Sequence, residues 1–135
     1  MMISTKGRYA LRVMIDLAQQ QKTEFIPLKE VAKRQNISQK YLESIMTMLS
    51  KNNFIEAVNG KGGGYSMNRK PEAYRVGDIL RLTEGSLAPV SCLECGAKPC
   101  ERVSECNTLP MWQKLDAIVN EYLDSVTIAD LVNKK

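Results

Sequence analysis

All four cysteines of this 135-residue chain fall in one stretch, CLECGAKPCERVSEC, as Cys92, Cys95, Cys100 and Cys106. Thiolates ligate zinc and iron-sulfur clusters, and exposed thiols of low pKa oxidise reversibly, so three chemistries compete here. Gly96 and Pro99 lie between the thiols and break both helix and strand, so the segment reads as a loop that needs something to hold it. Structural zinc sites usually come as two close pairs. Only Cys92-x2-Cys95 forms one, which weakens zinc. Lys98 and Arg102 nearby favour thiolates and keep reversible oxidation open. The chain has no histidine, which removes Ser-His-Asp and Cys-His catalysis and leaves ligation to Cys, Asp, Glu and weaker groups. With no convincing acid-base pair either, an enzyme is not expected.

The chain around this loop is of single-domain length, 44% hydrophobic and 25% charged, which is the range of soluble globular proteins. Lys6, Arg8, Arg12 and Asp16 interrupt the first apolar stretch, so it reads neither as a signal peptide nor as a membrane span. A cytoplasmic protein without a membrane partner is expected. In that reducing compartment clustered cysteines are metal ligands or redox thiols more often than disulfides. Charge is divided unevenly. Residues 1–70 hold twelve Lys or Arg against five Asp or Glu, and residues 71–135 hold seven against ten. A basic front suits polyphosphate, an acidic back suits a protein partner, and a merely solvated charged surface fits the asymmetry as well.

The front of the chain supplies elements for such a surface. Ser4 or Thr5 can cap a first helix in which Leu11, Met14, Ile15 and Ala18 recur at helical spacing. PLKEVAKR follows as two turns, with Pro27 in the first and Leu28, Val31 and Ala32 on one face. Gln35-Asn36 forms a corner, and Ser38 caps a longer helix to about Lys51. There Tyr41, Leu42, Ile45, Met48 and Leu49 keep the buried period, while Lys40, Glu43, Ser44, Thr47 and Lys51 face away. Short helix, tight turn and longer helix make a helix-turn-helix, with Gln39, Lys40 and Ser44 near base edges or phosphates. An ordinary helical hairpin with a solvated face has the same pattern.

What comes next favours the first reading. Phe54 to Val58 is strand-like, Asn59-Gly60 signals a hairpin turn, and Tyr65, Ser66 and Met67 return. Lys61 and Gly62-Gly63-Gly64 form the tip of a wing whose bare amides can approach phosphates. GKGGGY precedes no helix and matches neither nucleotide-binding glycine pattern. VGDILRL, Val76 to Leu82, is a further short helix with Ile79, Leu80 and Leu82 turned inward. Beyond the cysteines, Thr108 and Pro110 start a helix carrying Met111, Trp112, Leu115, Ile118, Val119, Tyr122 and Leu123. That stripe suits packing against a second copy; packing on its own domain is the alternative. Thr127-Ile-Ala-Asp130 has the form of a capping box for a last short helix.

STKGRYALRVMIDLA, ISQKYLE, GKGGGY, the cysteine loop and IADLV, in that order, resemble the bacterial winged helix-turn-helix transcriptional regulators that include IscR, NsrR and CymR. The resemblance runs nearly end to end. It implies a mainly α fold with a small β-hairpin, divided into a winged DNA-binding domain (1–83), a cysteine-rich sensor loop (84–106) and a dimerisation helix with a short C-terminal helix (107–135). It implies sequence-specific regulation of transcription by a homodimer on double-stranded DNA. The implied DNA contacts are Ser4, Lys6 and Arg8; Ser38, Gln39, Lys40, Tyr41, Glu43 and Ser44; and Asn59, Lys61, Gly62, Gly63 and Tyr65. Some members hold an iron-sulfur cluster on three cysteines of this loop. Others hold none and respond through a protein partner or other signals, so the alternative for this chain is a cluster-free regulator or a protein-binding module controlled by thiol oxidation or by a metabolic-enzyme partner.

The chain departs from the family's pattern in three places. Cys100-x5-Cys106 matches the last ligand interval, with Cys92 or Cys95 as the first ligand, and a 2Fe-2S cluster is expected ahead of 4Fe-4S. Where iron-sulfur-biogenesis regulators of the family place a histidine, this chain has Leu109. Where nitric-oxide sensors use an aspartate, it has Arg8. Either the extra cysteine completes an all-thiolate set or another group takes the fourth position. Asn59 replaces the arginine that related wings place before their glycines, which weakens the case for minor-groove reading.

Overall fold

The computed structural model describes residues 3–20, 25–94, 102 and 104–133. Helix α1 (Thr5–Gln20) is followed by α2 (Leu28–Gln35) and α3 (Gln39–Lys51), then by strands β1 (Ile55–Val58) and β2 (Gly64–Met67). A 3-10 turn at Pro71–Ala73 leads into α4 (Val76–Glu84), and α5 (Leu109–Ser125) and α6 (Ile128–Val132) close the chain. This is the expected mainly α architecture with a small hairpin.

Helix α1 is the centre, packed on α2, α3, α4, α6 and β2. Its buried stripe is Ala10, Val13, Met14, Leu17 and Ala18, while Leu11 and Ile15, expected inside, are half-buried. The difference follows from that position. A helix covered on several sides buries the residues at its crossings, large and small alike, and leaves those over the seams between its neighbours half-buried. In α3 the buried residues are Leu42, Ile45, Met46 and Leu49, with Tyr41 and Met48 half-buried instead. Each fully buried Leu, Ile or Met contributes about 1.5–3 kcal/mol of transfer free energy.

The corner between α2 and α3 forms as its residues predict. Asn36 takes the left-handed conformation at φ 53°, ψ 49°, and Ser38 Oγ accepts from the Tyr41 amide at 3.2 Å. The hairpin pairs Ile55 with Met67 through Val58 with Gly64, antiparallel. Gly60 and Gly62 at its tip have φ of 95° and 80°. One feature is absent from the sequence reading: Ile26 and Tyr65 exchange two backbone hydrogen bonds of 2.8 Å, tying the hairpin to the segment before α2. At the base, the buried Tyr74 hydroxyl donates to the Phe54 carbonyl at 2.7 Å, and Arg69 lies over both the Phe54 and Tyr74 rings.

The broad stripe of α5 divides in two. Val119 and Leu123 pack on a second core of Val76, Leu80 and Leu87, whereas Met111, Leu115, Ile118 and Tyr122 remain exposed. The Thr108 hydroxyl, expected to start this helix, makes no capping bond. Helix α6 has the full capping box of Thr127 and Asp130, and its Ile128 is buried in the α1 core.

Polar contacts fasten α4 to α5. Arg81 donates to Asn120 Oδ1 from Nε at 3.2 Å and Nη2 at 2.8 Å, and Nη2 also donates to Asp124 Oδ2 at 2.9 Å. Asp124 Oδ1 is buried 2.9 Å from Arg81 Nη1, near enough for charge attraction but off the line of a hydrogen bond. A Cβ on Gly77 would overlap that oxygen. The hydrogen bond from Arg81 holds the Asp124 carboxyl below the usual range, against the opposing effect of burial. A carboxyl depressed on folding stabilises the fold above its unfolded pKa of about 3.9, and that contribution disappears as pH falls through the folded value. Asp124→Asn is therefore expected to lower the urea midpoint at pH 7, with the gap to wild type narrowing below about pH 4. A gap that stays constant with pH would show that the charge is not involved.

Candidate nucleic-acid interface and cysteine loop

The solvent side of α3 presents Gln39, Lys40, Glu43, Ser44 and Thr47, all exposed. Leu42, Ile45, Met46 and Leu49 seat the opposite side in the core, so the polar row faces outward. The wing tip Asn59, Gly60, Lys61 and Gly62 is also exposed, and Gly63 is half-buried. Wing and helix meet at Tyr65. Burial raises the pKa of its hydroxyl first, and the nearby Glu43 carboxylate raises it further.

Several candidate contacts already have partners within the chain. Ser38 caps α3, and Ser44 Oγ donates to the Tyr41 carbonyl at 2.7 Å. The Tyr41 ring packs against Tyr9 at 5.8 Å, and Tyr65 pairs its backbone with Ile26. Ser4 Oγ accepts from the Gly7 amide at 3.1 Å and donates to Glu84 Oε1 at 2.5 Å, so the α4 C-terminus closes the start of α1. Arg8 is exposed and reaches only Thr5, while Lys6 is half-buried. The cations free to meet phosphate are therefore Arg8, Lys40 and Lys61, with Gln39 and Glu43 as free base-edge groups among the expected residues.

Sequence reasoning passed over Asp16, which lies buried in the α1 core stripe and is held by Arg34 and Gln35. Helical spacing places residue 16 beside Val13 and Leu17, but no spacing rule points to a cation eighteen residues on.

At the cysteine loop, Cys95 and Cys100 lie outside the described residues. Cys92 is exposed on a 3-10 turn at Ser91–Leu93, and Cys106 is half-buried; neither is in a disulfide. Cys106 Sγ lies 3.4 Å from Thr108 Oγ1, and Thr108 itself has helical backbone angles (φ −92°, ψ −14°) in place of the extended ones of a capping residue. This contact, with the Thr108 amide, lowers the Cys106 pKa towards the thiolate that ligates metals and attacks oxidants. Among the described residues no three His, Cys, Asp or Glu side chains converge as a metal site. Cys92 and Cys106 are the free thiols among the described residues that could hold a metal or cluster.

A helix-turn-helix with an outward polar row, flanked by a glycine-tipped hairpin, defines a winged helix-turn-helix DNA-binding protein. The Rrf2 model, described as an iron-dependent transcriptional regulator, matches residues 3–134, and the chain belongs to that family of regulators, which are not enzymes. The chain is 33% identical over 135 residues to the HTH-type transcriptional regulator IscR of Erwinia tasmaniensis, covering all of this chain and 81% of that protein. It also resembles the solved structure of CymR, the global cysteine regulator of B. subtilis, with a TM-score of 0.78 and 36% identity over 98% of this chain and 96% of that one. For T. potens IscR the TM-score is 0.73 and the identity 35%, over 98% and 86%. No helix among the described residues is long and apolar enough to cross a membrane.

Proposed function

We propose that this regulator binds operator DNA as a homodimer and senses iron-sulfur or redox status through the loop of Cys92, Cys95, Cys100 and Cys106. The observation that carries the reading is the position of the loop. It leaves α4, which packs on α1, and enters α5, whose outer stripe is apolar and exposed. A change of order in the loop acts at once on the winged unit and on the helix suited to a second copy. In this reading residues 1–83 are the reader, 84–106 the sensor and 107–135 the dimer element.

Gln39 and Glu43 face base edges, Arg8, Lys40, Lys61 and the wing glycines Gly62 and Gly63 serve the backbone through side chains or amides, and the half-buried Lys6 and the bonded Ser4 border that surface. Ser38, Tyr41, Ser44, Asn59 and Tyr65 shape or border the same face. A 2Fe-2S cluster bound by the cysteines would supply a redox-sensitive constraint on the loop, and with neither histidine nor an aspartate at position 8 the ligand set is thiolate-rich. A cluster-free reading is favoured by one observation, the contact of Cys106 Sγ with Thr108 Oγ1, which lowers the thiol's pKa and suits reversible oxidation.

Anaerobic purification with iron and sulfide analysis, followed by DNA binding before and after cluster removal, tests the sensor. Bound iron and sulfide, and a change in affinity on removal that Cys100→Ala abolishes, are expected. An iron-free protein indifferent to Cys100→Ala but responsive to peroxide points to the thiol reading; one indifferent to both rejects the loop as sensor. For the reader, Lys40→Ala and Lys61→Ala should each weaken binding and reduce the salt slope by about one. An unchanged slope would remove them from the phosphate contacts.

A further inference from the structure

Asp16 is 1% exposed, the one buried charged side chain among the described residues, and nothing in DNA contact or sensing accounts for it. The end of α2 fills its carboxylate. Arg34 donates from Nε to Oδ2 at 3.0 Å and from Nη2 to Oδ1 at 2.8 Å, and Gln35 Nε2 donates to Oδ2 at 2.8 Å. Gln35 is held from its other side too. Arg12, one turn earlier on α1, donates from Nε to Gln35 Oε1 at 3.1 Å and from Nη2 to the Gln35 carbonyl. The hydrogen bond to Asp16 also raises the Arg34 pKa, against the opposing effect of burial.

This grip lies where the direction of α3 is decided. Helix α2 ends at Gln35, Asn36 turns the chain, Ile37 is buried with its amide on the Ala32 carbonyl at 3.1 Å, and Ser38 caps α3. Apolar contact is non-directional and lets two helices rotate or slide at small cost. A bidentate guanidinium-carboxylate pair fixes angle as well as distance. Apolar replacements of such buried pairs are often neutral or stabilising, so net stability alone does not account for the network.

We propose that Asp16 is a positioning residue for DNA reading: through Arg34, Gln35 and Arg12 it sets the angle at which α3 leaves α2, and with it the register of Gln39 and Glu43 on base edges. The proposal rests on α3 being the recognition helix. Direct base readout requires placement within about 0.5 Å, whereas phosphate attraction tolerates displacement. Loss of the network should therefore reduce specific binding far more than non-specific binding.

Asp16→Asn keeps the shape but removes the charge and turns a donor towards Gln35 and Arg34. Adding Gln35→Glu restores a carboxylate beside Arg12 and reverses the donor and acceptor between positions 16 and 35. The probes are the duplex that wild-type protein enriches from a random-sequence pool and a scrambled duplex of equal length. Asp16→Asn should lose about tenfold or more on the enriched duplex and less than about threefold on the scrambled one, with an unchanged salt slope. The double variant should recover most of the loss. Amide exchange should quicken at Ile37 and Leu42 in Asp16→Asn but not at Ile26 or Ile128.

Equal losses on both duplexes, no loss on either, or no recovery in the double variant would overturn the proposal. If wild type enriches no sequence, the recognition-helix reading fails instead. Unchanged exchange at Ile37 and Leu42 would then independently reject Asp16 as the group that sets the corner.

Discussion

Ile118→Asp is expected to convert the protein to a monomer at micromolar concentration while leaving its helix content and thermal midpoint nearly unchanged. Ile118 is 53% exposed, in line with Met111, Leu115 and Tyr122 along α5, so a carboxylate there costs the single chain little. Across a two-fold axis the same substitution enters the interface twice. At about 2–3 kcal/mol for each buried, unpaired carboxylate, dimer dissociation rises by on the order of 10³–10⁴. DNA affinity should fall by at least about a hundredfold, because a helix-turn-helix monomer grips one half-site where the dimer grips two. Gln113→Asp, also exposed on α5 but off the stripe, is the control. Sedimentation velocity decides the matter: a wild-type monomer, or an Ile118→Asp variant that remains dimeric, rejects this face as the dimer contact.

Gly64→Ala should be a strongly damaging single-methyl change in the wing. Gly64 has φ 150°, and a Cβ there would lie inside contact distance of the Ile26 carbonyl, on the backbone bridge that joins the hairpin to the segment before α2. Backbone does not move aside as a flexible side chain does. Strain and overlap together are worth on the order of 3 kcal/mol, which for a domain of this size is a fall of about 10 °C in Tm. Gly62→Ala provides the comparison: its φ is 80°, yet nothing lies within 4 Å of the added methyl. A smaller loss, about 1 kcal/mol, is expected there. Equal melting of the two variants would mean that the bridge does not hold the wing.

Much of the reader was legible because its signals are local. Asn36 at a corner, Ser38 three residues before the amide it accepts from, and Thr127 with Asp130 as a capping box depend on neighbours within a turn. The α5 stripe was legible as apolar, but its division was not. Val119 and Leu123 turn to a second core built from α4 and Leu87, elements thirty or more residues away, and only that packing shows which part of the stripe stays uncovered. Thr108 shows a local signal overridden, since its backbone angles are helical in place of extended and its hydroxyl meets the Cys106 thiol.

Periodicity, capping residues and turn residues in the sequence marked out the helices, the corner and the hairpin of a winged helix-turn-helix with a cysteine loop before a long helix; that such a chain regulates transcription came from its family. Those signals are short-range preferences, written wherever a residue type meets its own backbone. The tertiary structure alone decided which candidate side chains remain free for DNA, that Ile26 bridges the wing, and that Asp16 reaches across to Arg34 and Gln35. Those contacts join residues far apart in the chain, and a buried charge has no partner until folding brings one within hydrogen-bonding distance.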